Sequence, residues 1–149
     1  MAKKENTAKE SNYTATIIEA SREFTAKERV MFKDLGNATS MVDFATSARE
    51  AGGKATIDVA DYAIISVHNE ATEDVDYTNY LIIDKNGNKY YTGSASLWNS
   101  FKNIYAEMKD SDEEWGIELN LLPSKNYKGK EFRLRNAARE IIRVVKIEI

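Results

Sequence analysis

Asn86-Gly87 stands between two runs rich in β-branched and aromatic residues, Tyr77 to Asp84 and Asn88 to Thr92, and no other feature narrows the fold as much. Asn-Gly as a two-residue connection favours a type I′ turn, because both central residues must take φ > 0. The two runs then form an antiparallel hairpin with Ile83 opposite Tyr90 and Ile82 opposite Tyr91. By period-2 alternation Leu81, Ile83 and Tyr90 share one face, the expected core face. Tyr80, Ile82 and Tyr91 share the other.

The rest of the chain reads as more strands around one helix. Tyr13 to Ala20 is rich in β-branched residues and predicts a strand. Thr25 to Glu28 fits a capping box that opens one or two helical turns. Ser40 to Asp43 repeats the signature, and Gly52-Gly53 would close a second short helix or turn. Lys54 to Val67 holds one or two strands. Ser94 to Lys109 carries Leu97, Trp98, Phe101, Ile104, Tyr105 and Met108 at helical spacing. Trp115 to Leu122, Glu131 to Arg135 and Val144 to Ile149 predict further strands, and residues 136–143 fit helix or strand. Trp98 and Trp115, each among apolar neighbours of the right period, are assigned to the core.

The expected class is therefore mainly β with one central amphipathic helix, an α+β arrangement. The element order suits a small Greek-key barrel with a helix across one end, the OB-fold plan, although another α+β fold satisfies the same order. A chain of 149 residues is the usual size of one domain. Residues 1–12 are polar and expected to be a mobile tail, leaving 13–149 as a single OB-like domain.

That N-terminal stretch has no apolar run, so it does not read as a signal peptide, and no apolar run approaches the ~20 residues that span a bilayer. Zero cysteines exclude disulfides and thiolate metal sites, and the expected location is the cytoplasm. The formal charge is −3, but it is unevenly spread. Residues 123–149 hold eight Lys/Arg against three Glu, a net of +5, while residues 1–122 carry a net of −8. Acids bunch at Glu70, Glu73, Asp74 and Asp76, and again at Asp110, Asp112, Glu113 and Glu114. A basic end with acidic loops can bind phosphate locally while the whole chain stays soluble.

Inventory argues against catalysis, metals and cofactors. His68 is the single histidine and ends a predicted strand, where a surface role outweighs that of a base. Gly52-Gly53-Lys54 lacks the spacing and the hydroxyl of a phosphate loop. Asp84-Lys85-Asn86-Gly87-Asn88 starts like a calcium loop, but its sixth position is Lys89 rather than glycine, so it reads as a hairpin turn. Glu107-Met108-Lys109 has a nuclease-like spacing without a companion aspartate, and reads as a solvated helix end.

Basic residues interleaved with aromatics remain. Lys125, Tyr127, Lys128 and Lys130 crowd a polar loop, Ser124 to Lys130, and Arg133 and Arg135 follow on a strand. A nucleic-acid strand needs cations along its phosphates and flat rings for its bases. Alternation puts Glu131, Arg133 and Arg135 on one side of that strand, Phe132 and Leu134 on the other. Tyr80 and Tyr91, diagonal on the outer hairpin face, are in reach of one stacked base. A charged edge strand and ordinary cross-strand ring packing would explain the same residues without a ligand.

Asp76 to Gly93 (DYTNYLIIDKNGNKYYTG), the aromatic helix Leu97 to Met108, and Pro123 to Phe132 (PSKNYKGKEF) together resemble single-stranded DNA-binding proteins encoded by phages and prophages of Gram-positive bacteria. The similarity runs over most of the chain after Tyr13. It implies an OB-like barrel, a role in replication or recombination, and no enzymatic activity. The chain departs from the better-known bacterial single-stranded DNA-binding proteins in having no Gly/Pro-rich linker and no acidic tail, ending Lys146-Ile147-Glu148-Ile149. A partner-recruiting tail is not expected, and their tetramer does not carry over.

The expected partner is single-stranded DNA, with RNA as the other strand chemistry. No membrane is implied, a homo-oligomer is compatible, and replication or recombination partners are unspecified. Two competing functions fit less of the chain. One is a protein–protein module, such as a phage-encoded inhibitor of a host factor, acting through the acidic loops. The other is a carboxylate-based nuclease.

Overall fold

The computed structural model describes residues 13–112, 115–123, 132–137 and 144–148. In chain order the elements are β1 (Tyr13–Ala20), α1 (Ala26–Lys33), a 3₁₀ turn (Leu35–Asn37), β2 (Thr39–Ser40), α2 (Met41–Glu50), β3 (Ala55–Ile57), β4 (Val59–Asn69), β5 (Asp76–Asp84), β6 (Lys89–Thr92), α3 (Ala95–Met108), β7 (Gly116–Pro123), β8 (Phe132–Ala137) and β9 (Val144–Glu148). The class is α+β.

Local chemistry explains the helix ends. Thr25 and Glu28 form a reciprocal capping box: Glu28 N donates to Thr25 Oγ1 and Thr25 N to Glu28 Oε1, at 3.1 and 2.9 Å. Ser40 and Ser94 cap α2 and α3 through the backbone N–H three residues on. α2 ends in a Schellman motif, with Gly52 at φ 78 and Gly53 N donating to Ala48 O at 2.8 Å. The box expected to open one or two turns opens a helix of 8 residues, and the signature expected to open a short helix or turn opens one of 10, so α3 is one of three helices rather than the one central helix.

β1, β4, β5, β6 and β2 lie side by side in that order, antiparallel except for the parallel β2–β6 contact. A second sheet runs β3-β7-β8-β9, with an extra parallel β7–β9 pairing. Among the described residues these strands close no barrel, which corrects the Greek-key barrel expectation. The reason lies in the larger sheet, which buries both faces. Leu81, Ile82 and Ile83 are consecutive and all buried. One face, with Ala63, Ile65, Leu81 and Ile83, packs Phe24 and Phe32 of the α1 region. The other, with Tyr62 and Ile82, packs α2, α3 and the β3–β7 edge through Met41, Trp98, Phe101 and Ile117. A barrel lined by one face of each strand cannot use both sets.

The hairpin is also one residue out of the expected register. Ile82 is opposite Tyr90, Leu81 opposite Tyr91 and Tyr80 opposite Thr92. The loop holds three residues, Lys85-Asn86-Gly87, in which only Gly87 has positive φ, so the turn is not type I′. Gly87 N donates to Asp84 O at 3.0 Å and Asp84 N to Asn88 O at 2.9 Å, which is a type I turn followed by a glycine bulge. The Asp84 carboxylate selects it by accepting the backbone N–H of Asn86 and of Asn88, both at 2.8 Å.

Candidate nucleic-acid interface

The register change separates the two tyrosines. Tyr80 falls on the face that packs against α3, and its ring stacks on Trp98 at 5.1 Å between centroids and 23° between planes. Tyr91, paired with Leu81, lies on the opposite face against the cluster under α1. Both rings are half-buried. They share no outer platform, which corrects the diagonal pair expected from a two-residue turn. Trp98 is in the core as expected, and Trp115 packs against the same cluster while partly exposed.

Lys125, Tyr127, Lys128 and Lys130 lie outside the described residues. Arg133 and Arg135 lie on β8, whose neighbours fix where its backbone sits. Arg133 is opposite Leu122 of β7, and Arg135 opposite Glu148 of β9. Glu148 is in turn paired with Asn120 of β7. On the far side of β7, Ala55 of β3 pairs with Leu119, so Lys54 enters beside Asn120. The backbones of Lys54, Asn120, Glu148 and Arg135 thus occupy one transverse row of the second sheet. Asn136 and Ala137, left open between helix and strand, extend β8.

Next to that row, the C-terminal turn of α2, the start of β3 and the middle of β7 border an open cleft of about 370 Å³. Arg49, Lys54 and Asn120 contribute to its lining. Arg49 and Lys54 are exposed, and sequence reasoning missed both. In the sequence Lys54 reads as the start of a strand region and as the end of Gly52-Gly53-Lys54, which lacks phosphate-loop spacing. Arg49 in the last turn of a helix is a generic pattern, and no spacing rule could join either residue to Asn120, far along the chain.

The opposite charge collects elsewhere. His68 Nδ1 lies 2.7 Å from Asp76 Oδ1, and its Nε2 lies 3.1 Å from Glu70 Oε2. These hydrogen bonds, the Asp76 one foremost, raise the imidazole pKa above its ordinary value. The ring is thereby committed to its own acidic loop. On the far side of the sheet Glu28 is bound by Arg22, at 2.8 Å, and by the Thr25 backbone, holding its carboxyl at about 2. Across β1 and α3, Lys102 bridges Glu19, which also accepts from the Tyr62 hydroxyl, so the Glu19 carboxyl titrates low and the Lys102 ammonium high.

Among the described residues no group of three or more His, Cys, Asp or Glu could hold a metal ion, and no helix is long and apolar enough to cross a membrane. The Asp84 carboxylate, the first ligand a calcium loop would need, is occupied by N–H groups of its own turn. No protein-family model matches the chain, and neither a curated protein nor a solved structure matches it.

Proposed function

We propose that this protein binds single-stranded DNA, coating or protecting strands during phage replication or recombination in the host cytoplasm, without catalysis. The observation that carries the reading is the transverse row on the second sheet. It joins Arg135 of β8, through Glu148, to Asn120 and Lys54 beside a cation-lined cleft. Spaced cations along an extended surface suit a phosphate backbone that has no fixed shape of its own. Lys125, Lys128 and Lys130 precede β8 closely in the chain, so these lysines would prolong the same track.

A second reading has one observation in its favour. The loop holding Glu70, Glu73 and Asp74 is exposed beside Asp76–Asn79 of β5, which among the described residues pairs with β4 alone. An acidic loop next to an unpaired strand edge suits a basic protein partner. Titrating a labelled single-stranded oligonucleotide and its duplex at two salt concentrations separates the readings. Strand binding that is tighter than duplex binding and weakens with salt is expected. No measurable strand binding at low salt would overturn the proposal.

A further inference from the structure

The cleft beside α2 has the makings of an anion site. Arg49 and Lys54 are the charged residues that line it, and no acid does. Lys54 has no hydrogen-bond or ion-pair partner among the described residues. Arg49 has contacts of its own and adds its field.

A helix C-terminus normally repels anions, because its last carbonyls point outward. Here the turn occupies three of the last four: Ala51 N donates to Ser47 O at 3.1 Å, Gly52 N to Arg49 O at 3.0 Å, and Gly53 N to Ala48 O at 2.8 Å. The glycines also leave room. A Cβ built on Gly52 would meet nothing within 4 Å. The backbone at Gly52 therefore faces open space in a cleft whose charged lining is Arg49 and Lys54.

We infer that this cleft seats a phosphate group, and that its ligand is a phosphodiester of the bound strand. The identity of that ligand rests on the strand-binding reading; the anion chemistry does not, and a free phosphate compound would use the same groups.

The test uses the full chain, its Lys54→Gln variant, and Lys27→Gln on exposed α1 as a control. Oligonucleotide affinity is measured across a salt series, and the melting temperature is measured with and without inorganic pyrophosphate at low ionic strength. Lys54→Gln should lower affinity and shrink the log–log salt slope by about 0.7, the loss of one phosphate contact on a single strand. Pyrophosphate should raise the melting temperature of the wild type and of Lys27→Gln but not of Lys54→Gln.

Strand binding with the same slope in Lys54→Gln would overturn the cleft while leaving strand binding intact. Pyrophosphate stabilisation lost in the variant, with no strand binding in any protein, would keep the cleft as a site for a free phosphate compound and overturn the strand. Neither effect would overturn both. Should Lys54→Gln fold poorly, Lys54→Arg keeps the charge and must bind like the wild type; failure to do so counts against the site.

Discussion

The ammonium of Lys89 lies 2.6 Å from the main-chain carbonyl oxygen of Met31, and 2.7 Å from that of Asp34. One side chain of β6 thus ties down the C-terminal end of α1, adding a charged donor to two carbonyls that also accept the backbone N–H of Asp34 and of Asn37. Phe32 of α1 packs with Phe24 into the cluster on one face of the larger sheet, so this contact joins the hairpin to the helix over its own strands. Lys89→Met keeps the aliphatic stem and removes both charge-assisted bonds at a helix C-terminus. The expected cost is about 1 kcal/mol, since the group is partly exposed. Urea unfolding should show a lower midpoint at an unchanged slope.

Tyr80→Ala removes a ring stacked on Trp98. Truncating a fully buried aromatic costs roughly 3–5 kcal/mol, and a half-buried one should cost about 2. The indole emission should shift as the exposed face of Trp98 meets water. Strand affinity, measured on the folded protein, should not change. A loss of affinity without a loss of stability would instead restore the ring as a stacking platform.

The contrast between Tyr80 and Ser94 shows what was legible. Ser94, Ser40 and the Thr25–Glu28 box act within four residues, so their helices could be placed from the chain alone. The register of Tyr80 depended on which turn won, and the Asp84 carboxylate decided that by capturing two N–H groups that Asn-Gly statistics ignore. The consecutive burial of Leu81, Ile82 and Ile83 was visible as an unbroken apolar run, the mark of a strand covered on both sides. Strict alternation puts Ile82 on an outer face and leaves no buried surface there for helices to cover. Lys54 and Asn120 meet only through the β3–β7 pairing, which no local pattern announces.

Two groups set opposite pH limits. His68 has a folded pKa raised above 6.5 by Asp76 and Glu70. Its contribution is complete below the unfolded value and is lost as pH rises through the folded one. Glu28 has a folded pKa of about 2 against 4.5 unfolded, so its contribution is complete above 4.5 and is lost as pH falls toward 2. Both pairs are exposed, so each effect should be small and should fade with added salt. Melting at low salt should show His68→Gln flattening the neutral-to-alkaline decline and Glu28→Gln flattening the acid one. An imidazole resonance titrating at or below 6.5 would contradict the bonds drawn to His68.

Gly116 starts β7 where it passes closest to β3. A Cβ there would sit 2.6 Å from the carbonyl oxygen of Ile57, a backbone atom that cannot rotate away. Gly116→Ala should force β3 and β7 apart and cost about 1–3 kcal/mol, as overpacking does. Because Ala55–Ile57 carries Lys54 at its entry, the damage should also reach the cleft. Hydrogen exchange should quicken in β3 and β7 before it does in β4 and β5.

The basic track can be dissected by salt. Each cation that neutralises a phosphate on a single strand adds about 0.7 to the log–log salt slope. Replacing Lys125, Lys128 and Lys130 together by Ala should flatten that slope by roughly 2 units if all three make contacts, and Arg133→Gln with Arg135→Gln by roughly 1.4. Affinity should fall alike for every base sequence, because phosphate contacts position a strand without reading it. The two sets should add, since separate phosphates release separate counterions. The loop set should leave the melting temperature almost untouched. The β8 set tests more, because Arg133 and Arg135 lie within paired strands, opposite Leu122 and Glu148. A slope unchanged in the loop set but reduced in the β8 set would centre binding on the second sheet. The reverse would leave the loop as the track and β8 as its support.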